Sequence, residues 1–182
     1  MSRESRDRSL RELMDGHGVG VLLLSTPANF AWYTGGADNR VDHGDPVGVA
    51  SVLVSMDDAY ILTNNIEAPR MREEQTPEME VVEHPWHEEP AALLKELTGE
   101  AGVGTDVPST SGPDLSAEIS PLRYVLDGDA IESYRRLGAD TAHAVSEAAG
   151  SLSPDTDELE AAAELAAACR GRWCRCGRSP SG

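Results

Sequence analysis

The chain reads as an α/β domain, with a mixed sheet flanked by helices, followed by two amphipathic helices. Three observations predict this. Val19–Ser25 is a short aliphatic run, which suits a strand buried on both faces. Val47–Met56 and Ala59–Asn64 are two strand-like runs separated by Asp57-Asp58, the signature of an antiparallel hairpin. Beyond Leu126-Asp127-Gly128 the apolar spacing becomes purely helical. Strands interleaved with helices give a layered α/β domain, and the hairpin within it argues against a purely parallel sheet.

In chain order, Ser5–Asp15 sets Leu10, Leu13 and Met14 on one helical face, and Gly16 and Gly18 end it. Gly16-His17-Gly18-Val19-Gly20 resembles a nucleotide-binding loop only superficially. Its glycines precede a strand instead of following one, so a helix cap and turn is expected. Pro27–Gly36 is a short helical or turn segment closed by two glycines, and Ala37–Pro46 is a polar loop. Ile66–Gln75 reads as an amphipathic helix, Met79–Glu83 as a strand, Glu88–Leu97 as a helix and Ala101–Val107 as a weak strand. Pro108–Gly112 is a turn-rich break. Ile131, Tyr134, Leu137, Val145 and Ala148 mark the first long helix, which Gly150 and Ser151–Pro154 interrupt. Asp155 or Thr156 is placed to cap the second, with Asp157 and Glu158 in its first turn. Leu159, Ala163, Ala166 and Cys169 line one face. The domain boundaries expected are 1–127, 128–170 and a separate tail over 171–182.

Of 182 residues, 32 are Asp or Glu and 15 are Lys or Arg, a net charge of −17. Phosphate binding needs clustered cations, so a nucleic-acid-binding role is excluded. The longest strongly apolar run, Val21–Leu24, cannot span a bilayer, and the N-terminus has no apolar signal segment. A cytoplasmic, non-membrane protein is expected. Fourteen of the basic residues are Arg and one, Lys95, is Lys; this acidity suits a halophilic surface, where salt screens self-repulsion.

The last 14 residues depart from the rest. They carry four Arg, all three Cys and no carboxylate, while residues 1–168 carry 11 basic and 32 acidic groups. From about Gly171 onward this composition is what a GC-rich gene yields out of frame, and the segment is read as aberrant. Cys169-x4-Cys174-x-Cys176 matches no zinc-finger or ribbon spacing and lacks a fourth ligand.

Three stretches together resemble the creatinase, prolidase and Xaa-Pro aminopeptidase family of "pita-bread" metallohydrolases. Asn29-Phe30-Ala31-Trp32-Tyr33-Thr34-Gly35-Gly36 is similar to a segment of that family's N-terminal domain, and Ala59–Arg70 to the strand and turn that follow it. Ala130–Arg136 and Ser153–Leu159 resemble the two helices that open its catalytic domain. The resemblance implies a creatinase N-terminal-type domain over 1–127 and the first two helices of a truncated catalytic domain over 128–170. It also implies hydrolysis of small peptides, X-Pro bonds among them, by two divalent cations held by two Asp, one His and two Glu. No residue here matches one of those ligands. Catalytic and metal-ligating residues are therefore expected to be none, with no cofactor in this chain, and the chain is expected to be inactive alone. Whether it is an enzyme in any assembly stays open. The alternative is a stand-alone dimerisation or interaction module of the same fold; a homodimer is the expected partner, and a peptide substrate belongs to a full-length relative.

Two local clusters are candidates. The resemblance gives Arg40, His43 and Asp45, in the loop after the Thr-Gly-Gly turn, a substrate-side role, against the alternative of an ordinary solvated loop. His84 and His87, with Glu88 and Glu89, could bind a divalent ion, but Pro85 blocks a regular helix across the pair and favours structural or surface histidines. Ser25-Thr26 and Ser109–Ser111 offer hydroxyls without a Ser-His-Asp order or a nucleophile elbow. Trp32 and Tyr33 are expected in a core or a domain interface.

Overall fold

A computed structural model describes residues 3–88, 90–99, 101–108 and 112–176, with the backbone alone at 91, 92 and 172–176. It divides into two compact units, Met1–Val125 and Leu126–Gly182.

The first unit is built on a five-stranded sheet in the order β4-β3-β2-β1-β5. Its strands are β1 (Val21–Leu24), β2 (Ala50–Ser55), β3 (Ala59–Asn64), β4 (Val81–His84) and β5 (Val103–Thr105). The β2–β3 hairpin turns at Asp57-Asp58, and β1 pairs antiparallel with β2 in the register Val21↔Ser55 to Leu24↔Val52. The two outer pairs, β3–β4 and β1–β5, are parallel, so the sheet is mixed as the sequence predicts. Alternation is clear at its centre. Leu22, Leu24, Val52, Val54 and Ile61 join the main core, while Leu53 and Leu62, one residue out of phase, are buried on the other face.

Helix α1 (Arg3–His17) buries Leu10 and Met14 in that core. Its end is a Schellman turn: Gly18 takes φ +64°, and the N–H groups of Gly18 and Val19 donate to Asp15 and Met14 carbonyls at 3.2 and 3.0 Å. The glycine run is thus a helix cap. Helix α2 (Pro27–Thr34) has Thr26 as N-cap, Pro27 in its first turn and Gly35 in the left-handed conformation at its end. Thr34 Oγ1 bonds back to Phe30 O at 2.8 Å and accepts from Ala37 N–H at 3.1 Å, so the Thr-Gly-Gly sequence closes the helix on both sides of its last turn.

The expected helix over Ile66–Gln75 differs in the structure. One α-helical turn, α3 (Ala68–Arg70), widens into a π-helical turn at Met71–Gln75. The cause is the buried Thr76, whose N–H and Oγ1 both bond to Met71 O, at 2.7 and 3.1 Å, and so extend the ring by one residue. Helix α4 (Ala91–Thr98) begins later than Glu88 because Pro85–Glu88 forms a turn, with Glu88 N–H donating to Pro85 O at 3.0 Å. A further helix, α5 (Ser116–Ile119), continues as a 3-10 turn over Ser120–Arg123 and buries Ile119.

Both sheet edges are covered. At β5, Thr105 exchanges backbone bonds with Pro113 and Leu115 at 2.9 and 2.7 Å. A Cβ on Gly112 would lie 1.6 Å from Val103 O, so only glycine fits that approach. At β4, Arg72 bonds Val81 O at 3.1 Å and pairs with Glu83 at 2.8 Å, placing a cation across the open edge.

In the second unit, α6 (Gly128–Ser151) is capped by Asp127, whose side chain accepts from Ala130 N–H at 2.8 Å. Helix α7 (Glu158–Cys176) packs against it. Its cap is Asp157 and not Asp155 or Thr156. Asp157 Oδ1 accepts from Leu159 and Glu160 N–H at 2.8 Å each, and Glu160 Oε2 accepts from Asp157 N–H at 3.2 Å, a reciprocal capping box. Thr156 instead closes the preceding turn through Ser153. The helix runs through part of the arginine- and cysteine-rich stretch; residues 177–182 lie outside the described residues.

Tyr33 locks α2 to α1. It is buried, its hydroxyl donates to Asp7 at 2.6 Å, Arg6 reaches its carbonyl at 3.0 Å, and the Arg3 guanidinium lies 5.7 Å from its ring centroid. Burial, and then the Asp7 hydrogen bond, push the phenol up to about 12. A raised folded-state pKa stabilises fully below the unfolded value of 10 and is lost as pH rises through about 12. Urea unfolding from pH 8 upward should therefore show Tyr33→Phe less stable by about 1 kcal/mol near neutrality. That gap should shrink between pH 10 and 12; a constant gap would contradict the assignment.

Candidate functional site

The densest polar construction in the first unit lies at the carboxyl end of β1, where β1, α2, β5 and the loop 37–49 meet. Asp106, directly after β5, is 2% exposed. Its Oδ1 accepts from Ser25 N–H at 2.8 Å, and its Oδ2 accepts from Thr26 N–H, Thr26 Oγ1 and Asn29 Nδ2 at 3.0, 2.7 and 2.8 Å. A carboxylate here lies at the positive end of α2 and takes the backbone N–H groups of Ser25 and Thr26 just before the helix, so its burial is compensated by hydrogen bonds and the helix dipole without a cation. Asp106 N–H also bonds Leu23 O at 3.2 Å. The end of β5 is thereby tied to the start of α2 across about eighty residues of chain.

The loop is held by a second buried polar group. Asn39 is fully buried, and its Nδ2 donates to Ser25 O at 3.1 Å and Ala50 O at 2.6 Å. Two carbonyl partners require the amide nitrogen there, just as the Asp106 carboxylate requires the nitrogen of Asn29. The Oδ1 atoms of both asparagines are buried without a hydrogen-bond partner. Gly48 N–H also donates to Ser25 O, at 3.0 Å, and a Cβ on Gly48 would stand 2.1 Å from the Asn39 amide. Asn39 and Gly48 thus close the two stems of the loop against β1.

Between the stems, Arg70 donates to Asp38 O at 3.0 Å and to Arg40 O at 3.5 Å while paired with Glu67 at 2.7 Å. Gln75 Oε1 accepts from Asp38 N–H at 2.8 Å. Asp38 pairs with Arg40 at 2.9 Å. Partial burial raises the Asp38 carboxyl, but the Arg40 hydrogen bonds and the nearby Arg70 outweigh it and hold the group below its ordinary value. The crown is exposed. Asp42 and Asp45 turn back on their own backbone, accepting from Gly44 and Val47 N–H at 2.8 and 2.9 Å.

Arg40, His43 and Asp45 therefore share one exposed crown, but no hydrogen bond or ion pair among the described residues joins them. Arg40 is engaged by Asp38, and Asp45 by the backbone. His84 and His87 are not gathered into a ligand set: His84 Nδ1 faces Pro85 O at 3.0 Å, and His87 lies 3.8 Å from Glu88, with both of the latter exposed. Glu89 and Ser109–Ser111 lie outside the described residues, as do the side chains of Cys174 and Cys176; Cys169 is a free, exposed thiol. Among the described residues no group of three or more His, Cys, Asp or Glu is placed to hold a metal ion, and no helix is long and apolar enough to cross a membrane. Ser25 Oγ is shared with Ser51 Oγ at 2.8 Å, and Thr26 Oγ1 donates to the buried Asp106 carboxylate as part of the α2 cap; neither hydroxyl is hydrogen-bonded to a histidine. Tyr33 is in the core and Trp32 packs partly buried against it.

The family model for the creatinase/prolidase N-terminal domain matches residues 6–136. The chain belongs to that family. No curated protein matches the chain at a significant level. Among solved structures, the prolidase from Pyrococcus horikoshii OT3 is similar with a TM-score of 0.71 and 16% identity, over 92% of this chain and 49% of that one. The Xaa-Pro dipeptidase from Bacillus anthracis gives 0.65 and 17% identity, over 94% and 50%. The X-Pro aminopeptidase from Thermotoga maritima gives 0.67 and 16%, over 91% and 49%. At these identities the likeness is one of fold, and the chain spans about half the length of each of these proteins.

As a member of this family, the chain carries its candidate loop on the Asp106 and Asn39 network, which sequence patterns alone did not single out. Thr26-Pro27 announces a capped helix, but only the parallel β1–β5 pairing brings Asp106 to it. Asp106→Ala would strand the buried N–H of Ser25 and the Nδ2 of Asn29, and is expected to cost about 3 kcal/mol or more. His43→Ala, on the crown, should change stability by less than about 0.5 kcal/mol. Thermal and urea unfolding of the two variants check this; equal effects would contradict the division between clasp and crown.

Proposed function

We propose that this chain supplies the N-terminal, non-catalytic portion of an Xaa-Pro peptidase-like metallohydrolase and does not hydrolyse peptide bonds by itself. The observation that carries the reading is the family match over residues 6–136, joined to a fold shared with about half the length of prolidases and X-Pro peptidases. Residues 1–127 are the N-terminal domain in this reading, and 128–170 correspond to helices that open the catalytic half.

The donor set does not fit the paired divalent cations of such hydrolases. Among the described residues the one deeply buried carboxylate, Asp106, has both oxygens taken by protein donors, and no ligand cluster is present. What the chain offers is a rigidly stemmed loop. In an assembled enzyme its crown would place Arg40, His43 and Asp45 on the substrate side, where a guanidinium and an imidazole suit the carboxylate of a short peptide.

The test is an assay of the pure 182-residue chain with Xaa-Pro dipeptides in the presence of manganese or cobalt, with and without a chelator. No turnover above blank and no stoichiometric metal uptake are expected. Chelator-sensitive hydrolysis would overturn the reading.

A further inference from the structure

The loop 37–49 is gripped near its start by its backbone. Gln75 Oε1 accepts from Asp38 N–H at 2.8 Å, and Arg70 donates to Asp38 O at 3.0 Å. Both backbone polar groups of one residue are thus held by two side chains of a single short element. Arg70 and Gln75 are five residues apart. In an α-helix they would point about 140° away from each other. In a ring closed from residue i to i+5 they come nearly level, and that is the ring at Met71–Gln75. The widened turn is what lets the two side chains meet on Asp38. It has one determinant: Thr76, fully buried, puts both its N–H and its Oγ1 on the carbonyl of the equally buried Met71, while residues 72–74 are exposed.

We propose that this turn is a two-state latch for the crown, with Thr76 and Gln75 as its positioning residues. The state observed is the closed one. In the open state the turn tightens to an i→i+4 ring, in which Gln75 N–H takes the Met71 carbonyl and the Gln75 side chain swings off Asp38. One backbone hydrogen bond replaces another, so what holds the latch closed is chiefly the Thr76 hydroxyl, which opening would leave buried and unpaired. The movement is confined. None of the hydrogen bonds of Asp106 or Asn39 involves residues 70–76, so the clasp and the loop stems stay in place. It nevertheless reaches the crown, because the Asp38 carboxylate pairs with Arg40 at 2.9 Å and so carries that guanidinium with it. The latch governs where Arg40 stands, and it holds whether or not the chain takes part in peptide hydrolysis.

Amide hydrogen exchange of the full chain, followed by NMR in mild urea, tests this. The Asp38 and Thr76 amides are expected to share one opening, with the same free energy and urea dependence, below that of the β2 amides. Thr76→Val keeps the side-chain shape without the hydroxyl, and should speed exchange of both amides at least tenfold while leaving Ser25 and β2 unchanged. Thr76→Ser should restore their protection. Gln75→Ala should free Asp38 by a similar factor with Thr76 still protected. Unchanged Asp38 exchange in Gln75→Ala, or in a folded Thr76→Val, overturns the proposal. So does a loss of protection that spreads equally to Ser25 and β2, which would make Thr76 an ordinary core residue. Should Thr76→Val fail to fold, the unaltered chain decides: Asp38 and Thr76 amides that open with different free energies overturn the latch.

Discussion

The first unit depends on one buried carboxylate. Asp106 follows an edge strand of three residues, β5, which is too short to hold its place by ladder hydrogen bonds alone. Its carboxylate sits where α2 begins and is met there by two backbone N–H groups, a hydroxyl and a carboxamide. A lone buried charge would be costly, but at a helix N-terminus with four donors it is compensated. The outcome is a clasp that fixes β5 beside β1 and sets the start of α2, whose far end carries Tyr33 into the core against α1.

Everything at the candidate site inherits that clasp. Ser25, which donates its N–H to Asp106, lends its carbonyl to Asn39 and Gly48, the two stems of the loop. The loop is thus rigid where it meets the sheet and open where it faces solvent. Arg70 and Gln75 hold its first residues from α3 and the π-helical turn, so even the widened turn serves the placement of the crown. Rigid stems under an exposed crown are an economical way to offer polar groups to a ligand or partner while the stability resides elsewhere.

Much of the fold was legible in the sequence because it rests on local patterns. The β2–β3 hairpin, the α2 cap and closing glycines, and the periodicities of α1 and α6 are each written within a dozen residues. Four features were not. The π-helical turn depends on the burial of Thr76, and the α7 cap on which of three neighbouring carboxylate or hydroxyl residues reaches the helix N–H groups. The α5 turn follows a region without a clear apolar period. The Asp106 clasp joins residues eighty apart, a relation that appears only once strand order is known. As for the candidate residues, a motif placed Arg40, His43 and Asp45 in one loop, but the partners that occupy Arg40 and Asp45 are set by local backbone geometry.

The most direct measurement of the clasp is native-state hydrogen exchange at the Ser25 and Thr26 amides, followed by NMR in mild urea. If Asp106 holds the unit together, both amides exchange only through global unfolding, with the same free energy and urea dependence as the amides of β2. Exchange of Ser25 and Thr26 through a small local opening, while β2 stays protected, would show that β5 and α2 are held by something else.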